Sequence, residues 1–140
     1  MSFVVLSKEP QTGAIAFTMP APDLTPEEAL QYAVYPESAV VKYPSDLPVG
    51  EDDFIPAWRL DSQGNVSIDI PFAREMTKDR LRTERKPLLE ALDVAFMKAL
   101  ETGASTAAIV AEKQRLRDIT SLADACNTTA ELRALKCSSQ

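Results

Sequence analysis

The spacing of hydrophobic and polar positions changes once along this chain, near residue 71. Before that point, short apolar runs are separated by prolines and glycines. After it, apolar residues recur at helical spacing. Ser2–Ser7 alternates weakly and is rich in β-branched residues, which predicts a strand. Lys8–Gly13 predicts a turn, and Ala14–Met19 a second strand pairing back on the first. Pro20-Ala21-Pro22 ends that strand, because proline cannot donate to a ladder. In Thr25-Pro26-Glu27-Glu28, Thr25 suits the N-cap, Pro26 the first helical position and Glu28 the reciprocal half of a capping box. A short helix over Pro26–Val34 follows, stopped by Tyr35-Pro36. Ala39–Tyr43 predicts a strand, Pro44–Pro48 a turn and Gly50–Asp53 an exposed acidic loop. Ala57–Leu60 and Val66–Ile70 then flank Asp61–Asn65 as a hairpin, with glycine and asparagine supplying the turn. Trp58, Leu60, Val66, Ile68 and Ile70 share its inward face.

The second half predicts a long helix over Pro71–Thr102, with Phe72, Met76, Leu81, Leu88, Leu92, Phe96 and Leu100 on broadly one side. Pro87 removes one backbone hydrogen bond and clashes with the Thr83 carbonyl, so a kink or break is expected there. Gly103 closes the helix. A second helix is expected over Thr106–Ile119, with Ile109, Leu116 and Ile119 inward, and Asn127-Thr128 can cap a last short helix, Thr129–Leu135. The expected fold is α+β. A small, mostly β sub-domain with one short helix occupies residues 1–70, and an antiparallel helical hairpin with a short terminal helix occupies 71–140.

Composition sharpens this division. Residues 1–70 carry three basic and eleven acidic side chains, a balance of −8, whereas residues 71–140 carry twelve basic and ten acidic, a balance of +2. Nine of the ten prolines lie at or before Pro71. The 45% hydrophobic and 26% charged fractions are those of a globular chain, not of a disordered one. The apolar run Phe3–Leu6 is too short for a signal peptide and follows no basic residue, and no stretch approaches the roughly 20 apolar residues that span a bilayer. The expectation is a soluble protein made in a cytosol, with no membrane partner.

Candidate chemistry is sparse. The chain contains no histidine, which removes imidazole-based nucleophilic catalysis, the zinc-protease helix motif and imidazole metal sites. With four glycines in all, a phosphate-cradling loop has little room. Cys126 and Cys137 are expected as free thiols beside a terminal helix, since a reducing cytosol disfavours a disulfide and two ligands do not make a metal site. Glu51-Asp52-Asp53 lacks the alternating ligand spacing of a calcium loop. No catalytic, cofactor-binding or metal-binding residue is expected, and the chain is read as a non-enzyme.

Partner-binding candidates remain. Lys78, Arg80, Arg82, Arg85 and Lys86 spread around a helix with Asp79 and Glu84 among them. They form either a solvated face with weak ion pairs or a docking face for an acidic surface, and Arg80, Arg82 and Arg85 are the candidates. No aromatic interleaves with them, so a nucleic-acid partner is not expected. Trp58, the single tryptophan, packs in the core or anchors a protein interface, where aromatic anchors are enriched. A hairpin turning near Gly103 brings Asp93 and Arg117 within about two turns of each other, where they form either a cross-helix clamp that fixes register more than it stabilises or two exposed charges.

The stretch from Trp58 to Thr120 resembles the small accessory proteins encoded beside tail-fibre genes in tailed bacteriophages, labelled tail-fibre assembly proteins or tail assembly chaperones. The matching residues are Ala57-Trp58-Arg59-Leu60, Val66-Ser67-Ile68-Asp69, Ala73-Arg74-Glu75, Arg80, Leu81-Arg82, Arg85, Pro87-Leu88-Leu89, Leu92-Asp93, Ala99-Leu100-Glu101 and Leu116–Thr120. The first 50 residues match no known pattern. The resemblance implies a virion tail protein, assembled in the host bacterial cytoplasm, whose partners are tail-fibre and baseplate proteins; a homo-oligomer is also compatible with it. Two mechanisms stay open. A virion adaptor or hinge would remain between fibre and baseplate, and an assembly chaperone would leave the finished particle. The acidic, proline-rich first half favours the permanent adaptor.

Overall fold

A computed structural model describes residues 3–138. The chain has an α+β fold and divides into two compact units, Met1–Asp69 and Ile70–Gln140. The change of unit coincides with the change of sequence period.

The first unit holds two small antiparallel sheets. β1 (Val4–Lys8) lies between β2 (Ile15–Thr18) and β3 (Val40–Lys42), with Leu6 opposite Phe17 on one side and Val40 on the other. Ser2, which the pattern put in this strand, lies outside the described residues. Helix α1 (Pro26–Tyr32) has the expected capping box: Thr25 Oγ1 accepts from the Glu28 N–H, and the Glu28 carboxylate accepts from the Thr25 N–H. β4 (Trp58–Leu60) and β5 (Val66–Ile68) form the hairpin, in a register that pairs Trp58 with Ile68 and Leu60 with Val66. Gly64 in its turn has φ +82°, and a Cβ there would sit 3.1 Å from Val40 Cγ1. The backbone angle favours glycine, and any larger residue would also press on the Val40 side chain.

The expected acidic loop is shorter than the pattern implied. A 3-10 segment, Asp52–Ala57, takes over and buries Phe54 and Ala57. The core of this unit is Val5, Leu6, Ala29, Phe54, Ala57, Trp58 and Leu60, each at most 7% exposed.

The second unit is helical. α2 (Ile70–Thr102) turns back at Gly103 into α3 (Ala107–Leu122), and a 3-10 turn at Ala123–Ala125 leads to α4 (Thr129–Ala134). Gly103 has φ +72°, the Ala104 N–H donates to the Ala99 carbonyl and the Gly103 N–H to the Leu100 carbonyl. This is a Schellman stop, which consumes the helix's last carbonyls. Thr128 caps α4 by accepting from the Glu131 N–H.

Pro87 does not break α2. Pro87 and Thr83 are both exposed, so the carbonyl left without its donor can be met by water. Leu81 before the proline and Leu89 and Leu92 after it join one core with Leu116, Ile119, Leu135 and Cys137. Continuity of that apolar face outweighs the single lost hydrogen bond.

The expected inward face of α2 also needs correction. Phe72, Leu88 and Leu100 are 42%, 36% and 57% exposed, whereas Ala73, Thr77, Leu81 and Ala99 are buried. Small residues let neighbouring backbone approach closely, and the Thr77 hydroxyl is satisfied by donating to the Ala73 carbonyl.

Candidate functional site

Trp58 is core and not a docking anchor. It is 2% exposed, its indole N–H donates to the Glu51 carbonyl at 3.2 Å, and its ring lies 6.0 Å from that of Phe17. Both its apolar body and its polar handle are satisfied inside the first unit.

The basic cluster of α2 is largely structural. Arg80 donates through Nη2 to the Leu132 and Leu135 carbonyls at 3.2 and 2.8 Å, and through Nη1 to Glu84 at 2.6 Å. Arg85 donates to the carbonyls of Leu116 and Arg117. Two arginines outside the expected set do the same. Arg74 reaches the Cys126 carbonyl at 2.9 Å and Asn127 Oδ1 at 3.2 Å, and Arg115 reaches the Cys137 carbonyl at 2.7 Å while pairing with Glu112. Arg82, by contrast, is an exposed residue paired with Asp79 one helical turn back. Among the described residues, and unlike Arg80 and Arg85, it makes no bond to a distant backbone carbonyl.

The cross-helix clamp exists with a different cation. Lys113 Nζ lies 2.6 Å from Asp93 and 5.2 Å above the Phe96 ring, whereas Arg117 is exposed and contributes its carbonyl to Arg85. Lys113 and Arg117 are four residues apart on one helical face, so spacing alone could not separate them. The Phe96 ring resolves the choice, because it offers Lys113 a second favourable contact.

Cys126 and Cys137 are free and buried. Desolvation pushes both thiols up from the ordinary range, away from the reactive thiolate. The Cys137 thiol also donates to the Leu81 carbonyl. Two shallow grooves, of about 340 and 310 Å³, flank it. Among the described residues no group of three or more metal-ligating side chains could hold an ion, and no buried side-chain polar atom lacks a hydrogen-bond partner. No described helix is long and apolar enough to cross a membrane.

What the second unit offers instead is apolar surface at the turn end of its hairpin. Val94, Met97 and Leu100 on α2 and Val110 on α3 are 51–57% exposed. Met97 and Leu100 follow Asp93 by four and seven residues, and Val110 precedes Lys113 by three, so each set shares a helical face with its ion-pair partner. By helical spacing, the Asp93–Lys113 contact puts Met97 and Leu100 of α2 and Val110 of α3 on the faces that carry the ion pair. Sequence periodicity had assigned Leu100 to the core and gave no signal for this patch. Compared with known proteins, the chain matches no family model, no curated protein and no solved structure.

Proposed function

We propose that the protein is a non-enzymatic adaptor of a bacteriophage tail. In this role it binds a tail fibre and links it to the baseplate or neighbouring tail proteins. The phage context rests on the resemblance of residues 57–120 to tail-fibre accessory proteins. The docking role is supported by the exposed apolar side chains Met97, Leu100 and Val110 at the turn end of the helical hairpin. Contiguous exposed apolar surface is what a protein contact uses.

Mass spectrometry of purified particles tests the proposal. Stoichiometric peptides of this chain in the particle are the expected result. Fibre-bound chain in the lysate of infected cells, with none in the particle, would instead identify an assembly chaperone. Replacing Met97, Leu100 and Val110 together by serine should abolish co-purification with the fibre and change folding stability by only about 0.5 kcal/mol or less per site, as exposed positions do. Undiminished fibre binding by that triple variant would eliminate the hairpin patch as the docking face.

A further inference from the structure

A groove of about 370 Å³ opens in the first unit, between the end of β2 and helix α1, lined in part by Thr18, Met19, Asp23, Leu24, Tyr32 and Tyr35. We propose that it binds an extended segment of a partner protein and takes one lysine or arginine side chain from that segment. The inference goes beyond the tail-adaptor proposal, since it concerns the other unit and a different kind of contact.

Three observations carry it. The first is the lining, which combines aromatic surface with acid. Met19 and Tyr32 are each 82% exposed, and the Asp23 carboxylate makes no ion pair or hydrogen bond among the described residues. A tyrosine face and an uncommitted carboxylate attract the same ligand, an ammonium or guanidinium group. An apolar wall suits the methylene stem that carries it.

The second is charge. Residues 18–37 contain Asp23, Glu27, Glu28 and Glu37 and no lysine or arginine. These carboxylates favour the approach of a cation.

The third is the strand beside it. β2 lies at the edge of its sheet, with a neighbour on one side. Ala16, Phe17 and Thr18 are all exposed, Phe17 at 40% although its ring packs against Trp58. An edge strand offers unpaired backbone groups to an incoming strand, and a side-chain pocket next to it supplies specificity. The groove walls are held by features already satisfied internally: the Thr25 capping box, the Leu24 N–H donating to the Ala21 carbonyl, and Ala29, the buried residue of α1.

The test uses the full chain and a fluorescein-labelled octapeptide of alternating threonine and valine with one central arginine. Its counterpart carries citrulline, which has the same shape without the charge. Anisotropy should show the arginine peptide binding about tenfold more tightly than the citrulline peptide. Asp23→Asn should erase that preference, Tyr32→Ser should reduce it, and Asp52→Asn, elsewhere on the unit, should leave it intact. Peptide-induced shifts of backbone amide resonances should fall within residues 15–35. Equal affinity for the two peptides, no binding, or an Asp52→Asn effect as large as that of Asp23→Asn would overturn the proposal. No phage component enters the test, so its result is independent of the particle analysis.

Discussion

The two units use opposite charges on opposite poles of the backbone. In the first, carboxylates accept from nearby backbone N–H groups. Glu9 accepts from the N–H groups of Gln11 and Thr12 and from the Thr12 hydroxyl, Glu28 from Thr25, Asp46 from Tyr43, and Asp61 from Gln63 and Asn65. All of these bonds span two to four residues. In the second, arginines donate to carbonyls far away in sequence: Arg80 reaches 52 and 55 residues along, Arg74 reaches 52 and Arg115 reaches 22. Turns leave N–H groups unpaired locally, and a short carboxylate can reach them. The terminal segment 126–137 presents carbonyls far away in sequence, and a long forked cation reaches those. The acid–base asymmetry of the sequence is thus in part a record of two folding devices. Asp23 and Glu27 exceed what those devices need, which is why recognition is proposed there.

The largest effect that could break this comparison belongs to Trp58. If the first unit is held by its own core, Trp58→Ala should cost about 3–5 kcal/mol, the range for truncating a buried aromatic. Chemical denaturation read by circular dichroism would measure it. Hydrogen exchange should place the loss in residues 4–68 and spare α3. A small loss with impaired partner binding would restore Trp58 as an anchor.

That outcome bears on what could be read from sequence. Local rules worked wherever a short span contained its own reason. The Thr25 capping box, the Gly64 hairpin turn, the Gly103 stop and the Thr128 cap each need only a few neighbouring residues. Long-range choices were hidden. Nothing local distinguishes Lys113 from Arg117 as the partner of Asp93, because the deciding Phe96 ring lies on the other helix. Likewise Arg80 reads as a surface cation until the carbonyls of Leu132 and Leu135 arrive beside it. Leu100 and Phe72 fit an apolar stripe by period, yet both stay exposed, while the core joins Leu81, Leu89 and Leu92 to Leu116 and Ile119 and the small residues Ala73, Thr77 and Ala99 are buried. A hydropathy pattern does not say which apolar positions of the stripe are covered.

A smaller effect sharpens the role of the long-range arginines. Arg80→Met keeps the apolar stem but strips the donors from two carbonyls, and should cost about 1–3 kcal/mol, as for hydrogen bonds made by a charged group. Amides of residues 129–137 should lose exchange protection while those of β4 and β5 keep theirs. Acid should mimic part of this loss. Burial pushes the Glu84 carboxyl up, but the Arg80 guanidinium and the Cys137 N–H outweigh it and hold the carboxyl below the usual glutamate range. A depressed folded value means a contribution present above the unfolded value and lost as pH falls through the folded one. Protection of the terminal segment should therefore decline below about pH 4.5, the ordinary glutamate value, and Glu84→Gln should flatten that decline. An unchanged acid limb in Glu84→Gln would remove Glu84 from the latch.

The smallest expected effect comes from Arg82, two residues from Arg80 on the same helix. Its partner Asp79 is three residues back, and the two side chains are 48% and 77% exposed. An exposed pair at this spacing contributes about 0–0.5 kcal/mol and is screened by salt. Arg82→Ala should leave the thermal midpoint and the exchange pattern of residues 129–137 unchanged, in the same measurements that register Arg80→Met. The contrast isolates the carbonyl contacts from net charge, because both substitutions remove one cation from the same helix. Equal losses at the two positions would mean that α2 responds to its overall charge, and that the arginine latch is incidental to the stability of the second unit.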